Sequence, residues 1–241
     1  AADGDFLVRT RRTSGEREWR AKHLVLAIGD MHRPRRIDVP GEDLPHVSHY
    51  FEDPHVYFHR RVLIVGGRNS AVEAAIRCVR VGAAVTLAYR GAELDETHIK
   101  FWLLPEIRAM IRGRRMTFLP KTAVCEIRTD RVTLARTEGG DRFDLEADAV
   151  LLLTGYEQDP DLFEQAGVTL VGSNRRPLVD ERTMETNVPR LYVAGTAAAG
   201  TQSSGVREFL ETTHIHIDRI VAAITGGTPP ENAIAYEMPE S

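Results

Sequence analysis

The chain has 241 residues, enough for one large or two small domains with buried cores. Its 31 Lys+Arg against 35 Asp+Glu leave a formal net charge of −4, with both signs interspersed and no basic tract of the kind that binds nucleic acid or a membrane surface. No apolar stretch reaches the roughly 18 residues that span a bilayer, the start has no signal pattern, and Cys78 and Cys125 form neither a C-x-x-C dithiol nor a zinc spacing. These features predict a cytoplasmic protein with a small-molecule partner, no nucleic-acid or membrane partner, and two inert, buried thiols.

The chain opens without Met and runs straight into residues 6–12, a strand already under way, so it reads as a fragment. A turn at Ser14-Gly15, a second strand at 18–20 and the apolar run from His23 to Ile28, ending at Gly29-Asp30, complete the first β region. Residues 31–60, rich in Pro, His and Asp, read as a linker. Then come a strand at 61–65, the pair Gly66-Gly67, a helix at 71–81 and a second strand at 84–89. Together they make a βαβ unit of about 30 residues with parallel strands. A helix is predicted at 99–111 despite Pro105, then short strands at 116–119, 123–128, 132–136 and 143–145, and a buried run at 149–155. A further buried strand at 191–195 precedes a long helix at 206–224, core-facing through Phe209, Ile217, Ile220 and Val221. Strands ending in glycine recur at Gly29, Gly155 and Gly195, too irregularly for a solenoid.

Chemistry concentrates at the first βαβ turn. In a Rossmann turn one glycine allows the tight bend, a second lets the backbone approach a pyrophosphate, and a third, small position packs helix on strand. Gly66 and Ala71 fill the first and third places; Arg68 stands where the middle glycine would be, so the strict G-x-G-x-x-G spacing fails. Asn69 and Ser70 add side-chain donors at a helix N-terminus, where the dipole favours phosphate. The alternative is a tight turn that binds nothing. At the end of the second strand NAD sites place an acid for the ribose 2′-hydroxyl, whereas this chain has Tyr89-Arg90-Gly91. Arg90 can pair with a 2′-phosphate and Tyr89 can pack beside adenine, so NADPH is preferred, with Arg68 or Lys100 as further cations. A solvated surface arginine is the bland reading of Arg90.

Glu73 reads as a favourable charge near the helix start rather than a functional group. His214 and His216, two apart on a helix, diverge and make a metal site improbable. His46, His49, His55 and His59 read as solvated loop histidines. No nucleophile elbow or Walker lysine motif is present, and no residue is an obvious acid, base or nucleophile.

The stretch Leu63-Ile64-Val65-Gly66-Gly67-Arg68-Asn69-Ser70-Ala71-Val72-Glu73-Ala74-Ala75 resembles the NADPH-domain motif of thioredoxin-reductase-like flavoproteins. Leu153-Thr154-Gly155-Tyr156 is similar to the segment where the inserted domain returns to the FAD domain, and the run from Thr186 to Gly195 to the late FAD-contact motif. The run from Ile37 to Tyr50, together with Arg68 and Tyr89-Arg90-Gly91, resembles the YpdA-type bacillithiol disulfide reductase branch. The family's N-terminal FAD motif and nearby cysteine have no counterpart here, and the usual Gly-Asp of the late motif is Gly195-Thr196.

The resemblance implies an α/β fold in which a Rossmann-like NAD(P)-binding domain at 54–157 is inserted into an incomplete FAD-binding domain, formed by 1–53 (with the linker) and 158–241. It implies FAD and NADPH as cofactors, with hydride passing from NADPH to FAD and on to a low-molecular-weight disulfide or other electron acceptor. The cofactor-binding residues would be Gly66, Gly67, Arg68, Asn69, Ser70, Ala71, Tyr89, Arg90, Lys100 and Gly155, with Gly29, Gly195 and Thr196 on the FAD side. It also places the start of the last helix, at Thr201-Gln202-Ser203-Ser204-Gly205-Val206, near the flavin ring, against the plain reading of a polar cap. A homo-oligomer is left open. The rival readings are another thioredoxin-reductase-like or monooxygenase-like flavoenzyme, and a noncatalytic NADPH-binding or redox-sensing module.

Overall fold

The computed structural model describes residues 4–202 and 212–230. The chain divides into two units: one continuous, Pro34–Gly155, and one built from the residues up to Arg33 and from Tyr156 onward.

The continuous unit is organised by a five-stranded, wholly parallel sheet in the order Val47–Ser48, Ala149–Leu152, Arg61–Val65, Ala84–Ala88, Thr117–Leu119. Arg61–Val65 is covered on both faces. Val62 and Ile64 pack with the helices Asn69–Arg80 and Leu103–Arg112. Leu63 and Val65 turn the other way, onto an antiparallel sheet of Arg142–Glu146, Arg131–Arg136 and Thr122–Ile127. A strand buried on both faces needs no polar alternation, which is why its sequence is a plain apolar run. At roughly 1.5–3 kcal/mol per fully buried aliphatic side chain, this one strand contributes to both core clusters, which it shares with buried residues of the helices and the neighbouring strands.

Residues 34–53 are not a free linker. Ile37, Val39, Leu44 and Val47 pack against the core between the two sheets, and Ile127 N–H donates to the Pro40 carbonyl at 2.8 Å. A Cβ at Gly41, whose φ is +85°, would lie 1.9 Å from the Ile127 carbonyl oxygen, so only glycine fits this contact. Glu42 is buried and accepts from the backbone N–H groups of Ile37 (3.0 Å) and Asp38 (2.8 Å). His49 Nε2 lies 3.5 Å from the same carboxylate and its side chain is 13% exposed. His46 also buries a ring nitrogen. These two histidines are therefore not solvated, unlike the exposed His55 and His59; burial of the segment that carries them is the reason.

Of the predicted helix at 99–111 the structure forms Leu103–Arg112, preceded by a 3-10 turn at Glu96–His98. Pro105 falls in its first turn, where the missing N–H has no intrahelical partner to lose. Cys78 is buried on the helix Asn69–Arg80, its thiol pushed up to about 11 by burial, whereas Cys125, on the antiparallel sheet, is only half-buried.

In the second unit Leu24–Leu26 and Leu191–Val193 pair in parallel, Leu26 and Val193 packing with Phe163, Val168 and Ala197. Phe6–Arg12 and Gly15–Ala21 form an antiparallel hairpin. The last helix is His214–Thr225; Phe209 and the predicted start of that helix at 206 lie outside the described residues. Its buried residues are Ile215, His216 and Ile220, while Ile217 and Val221 are 57% and 53% exposed. The inward stripe runs through the i,i+4 pair 216 and 220, and the pair 217 and 221 sits about 100° further round the helix.

Candidate functional site

The turn after Arg61–Val65 is fixed by close packing. Gly66 has φ +147°, and a Cβ there would lie 2.5 Å from the Leu153 carbonyl oxygen and 2.8 Å from Ala71 Cβ. Both the glycine and the small, fully buried Ala71 are thus required for the helix to start directly beyond the strand. A Cβ at Gly67 would fall 2.4 Å from the Tyr89 ring, and one at Gly91 2.5 Å from its other edge. Tyr89 therefore packs between two glycines, a role absent from the sequence reading.

Arg68 is the extended residue preceding the helix Asn69–Arg80, and no side chain caps that helix. The first-turn N–H groups of an α-helix have no intrahelical partner and carry the positive end of its dipole. Asn69 Oδ1 accepts from the Lys100 backbone N–H at 2.6 Å, leaving its NH2 as the donor end. Lys100 Nζ lies 5.1 Å from the centre of the Trp102 ring. Arg68 Nε lies 3.6 Å from Asp95 Oδ2. The 91–100 loop is thereby fastened beside the turn. Ser70 and Arg90 are exposed. Glu73 faces solvent near Arg77, 3.8 Å away.

The parallel sheet also brings Gly155 to this end: Leu153 N–H donates to the Val65 carbonyl at 2.9 Å, and Gly155 follows with φ +106°. Thr154 Oγ1 donates to the Arg35 carbonyl (2.8 Å) and Arg35 N–H to the Gly155 carbonyl (2.9 Å). Strand order reverses about Arg61–Val65, since the chain leaves it toward Ala84–Ala88 and returns on its other side as Ala149–Leu152. The crevice beyond the carboxyl ends of such strands is the general ligand position in open α/β sheets.

In the other unit, pairing of Leu24–Leu26 with Leu191–Val193 sets Gly29 (φ +77°) beside Thr196: a Cβ at Gly29 would come 4.0 Å from Thr196 Oγ1. Gly195 has φ +72°, and a Cβ there would meet nothing within 4 Å. Gln158, missed by the sequence reading, ties the two strand ends together. It is buried, and its Nε2 donates to the carbonyls of Gly29 (3.1 Å) and Ala197 (2.9 Å). Its backbone N–H donates to Thr201 Oγ1 (3.0 Å), and Gln202 Nε2 to Asp30 Oδ2 (2.8 Å). Positions 203–206 of the predicted flavin-facing segment lie outside the described residues.

The three glycine-ended strands thus separate: Gly29 and Gly195 share one unit, Gly155 belongs to the other. Asp95, Asn69's hold on Lys100 and Gln158 carry no motif signal, because their partners are backbone groups or side chains set by tertiary contact.

A wholly parallel sheet with a glycine-wedged strand–helix turn defines a nucleotide-binding α/β protein. The family comparison makes this particular: residues 1–195 match the family model described as pyridine nucleotide-disulphide oxidoreductase, and the chain belongs to that family. It is similar to bacilliredoxin reductase Bdr of Bacillus subtilis (strain 168), 38% identical over 204 residues, 84% of this chain and 61% of that protein. It is also similar to a ferredoxin–NADP reductase of Ignicoccus hospitalis, 31% identical over 199 residues, 80% of this chain and 61% of that protein. Among solved structures, the bacillithiol disulfide reductase Bdr (YpdA) from Bacillus cereus superposes with a TM-score of 0.82 at 35% identity, covering 93% of this chain and 68% of that one. The match spans 61% of the length of each of these two curated relatives.

Proposed function

We propose that the turn at Gly66, Gly67, Arg68, Asn69, Ser70 and Ala71 binds the pyrophosphate of NADPH, with Arg90 and Lys100 supplying cations, Arg90 for the 2′-phosphate, and Tyr89 a surface for adenine. The observation that carries this is the wedge of Gly66 between the Leu153 carbonyl and Ala71, which delivers an uncapped helix N-terminus directly to the strand end. Gly155 closes the same crevice. On this reading the Pro34–Gly155 unit is the NADPH domain, beginning before the expected 54, and the flanking regions, up to Arg33 and from Tyr156 onward, contribute to an FAD domain. Gly29, Gly195 and Thr196 would face FAD, and the open space beside Gly195, where an added Cβ would touch nothing, suits such an approach.

The similarity to Bdr proteins supports a flavoprotein reductase acting on a low-molecular-weight disulfide, bacillithiol disulfide by preference, within cytoplasmic thiol redox homeostasis. When bound, NADPH would supply a hydride and FAD would relay the electron pair, so that one disulfide and one proton would give two thiols and NADP+. This chain's residues would bind and orient: the turn would fix the pyrophosphate, Arg90 would select the dinucleotide, and Gln158 holds together the two strand ends that would face FAD. No residue is assigned as acid, base or nucleophile.

The test is NADPH oxidation by the FAD-loaded polypeptide that carries this chain, followed by the loss of reduced-nicotinamide absorbance with bacillithiol disulfide, other disulfides and oxygen. Turnover with bacillithiol disulfide supports the reading; substantial turnover with oxygen alone overturns the disulfide assignment.

A further inference from the structure

The proposed phosphate site has a carboxylate at its edge. Asp95 Oδ2 lies 3.6 Å from Arg68 Nε and 2.8 Å from His98 Nδ1, and Asp95 Oδ1 accepts from Thr97 Oγ1 at 2.8 Å. Arg68 is the residue just before the helix whose N-terminus would meet the dinucleotide phosphates. The hydrogen bond from His98, then that from Thr97 and the charges of His98 and Arg68, hold the Asp95 carboxyl below the usual carboxylate range. The aspartate is therefore an anion beside an anion site. Two negative charges within a Debye length of about 8 Å repel one another, so something must balance its presence there.

We propose that Asp95 is a resident counter-ion of the dinucleotide site, pairing with Arg68 and competing with the dinucleotide phosphates for it. The proposal rests on the reading of the 66–71 turn as the dinucleotide site. Asp95 then lowers affinity for phosphate-bearing ligands and lets them leave faster. The loop has a second tie that this charge does not supply, because Asn69 Oδ1 holds the Lys100 backbone N–H. Removing the charge should therefore weaken the competition for Arg68 while the Asn69 tie to the loop stays in place. A residue serving only to hold the loop would give the opposite sign.

The experiment is equilibrium titration of the purified chain with NADPH, read by the fluorescence of bound nicotinamide, for the parent and for Asp95→Asn. The exposed-pair range of about 0.2–1 kcal/mol corresponds to a dissociation constant smaller by about 1.4- to 5-fold in Asp95→Asn, the gain shrinking as salt is raised. Thr97→Val removes one hydrogen bond to Asp95 but keeps its charge, and does not tighten binding. An unchanged or larger dissociation constant in an Asp95→Asn protein of normal melting temperature overturns the proposal; Asp95→Ser carries the same test if the asparagine variant does not fold. Saturable binding that Arg90→Ala weakens but loss of the Asp95 charge leaves alone overturns the counter-ion role only. A parent chain without saturable NADPH binding overturns the site and the counter-ion together.

Discussion

Gly66 and Leu153 approach so closely that a single added carbon at Gly66 would sit 2.5 Å from the Leu153 carbonyl oxygen. The two residues end adjacent parallel strands, with Leu153 N–H donating to the Val65 carbonyl. Gly66→Ala must therefore part the strand ends or bend the turn, and its φ of +147° is a conformation that alanine rarely adopts. A loss of about 2 kcal/mol or more in unfolding free energy is expected, with lower NADPH affinity in the folded fraction. Denaturant melts and NADPH titration of the variant check both; wild-type stability would mean that the turn does not need glycine.

Arg90→Ala tests dinucleotide choice. A charge-assisted contact to a 2′-phosphate is worth about 1.5–3 kcal/mol, or roughly 10- to 150-fold. NADPH binding is expected to weaken by that order while NADH binding barely moves. Equal losses for the two dinucleotides would return Arg90 to the status of a surface arginine.

Gln158→Ala removes the donor that bridges the Gly29 and Ala197 carbonyls. Leaving buried carbonyls unsatisfied costs about 1–3 kcal/mol, so a lower melting temperature is expected. FAD retention, measured by flavin absorbance after desalting, should fall with it. The titration of NADPH should be unaffected, since Gln158 and the 66–71 turn belong to different units.

Asp148 provides a pH-dependent prediction. The Arg61 guanidinium and backbone N–H hydrogen-bond its carboxylate and lower its pKa to about 2. A carboxylate whose pKa falls on folding stabilises the fold above its unfolded pKa, and that contribution is lost as pH drops through about 2. With the two side chains 44% and 39% exposed, screening keeps the effect near or below about 1 kcal/mol. Asp148→Asn should lower the melting temperature at pH 7 and converge with the parent near pH 2. A gap that persists in acid would assign the effect to packing.

How much of this was legible in sequence follows from the range of the interactions. The run Val62 to Ala71 encodes strand, wedge and helix within ten residues, because the demands for glycine and for a small residue arise within one turn, and the parallel partner strands show as plain apolar runs. The 34–53 segment misled because its order comes from contacts distant in sequence, such as Pro40 and Gly41 on Ile127 and the buried Glu42 beside His49. Pro, His and Asp content registers only as loop composition. The face of the last helix was misread for a related reason: Ile217 and Val221 are as apolar as Ile220, and only packing decides which stripe turns inward. Asp95 escaped notice because a lone acid beyond the second strand matches no dinucleotide pattern until Arg68 is seen beside it.

The central claim is that the Gly66 turn and Arg90 together recognise a 2′-phosphorylated dinucleotide. Displacement of bound NADPH from the purified chain by 2′,5′-ADP, compared with 5′-ADP, tests it most directly. The account predicts displacement by 2′,5′-ADP at a concentration lower by about tenfold or more, from one charge-assisted phosphate contact. Equal displacement by the two nucleotides, or by neither, would contradict it.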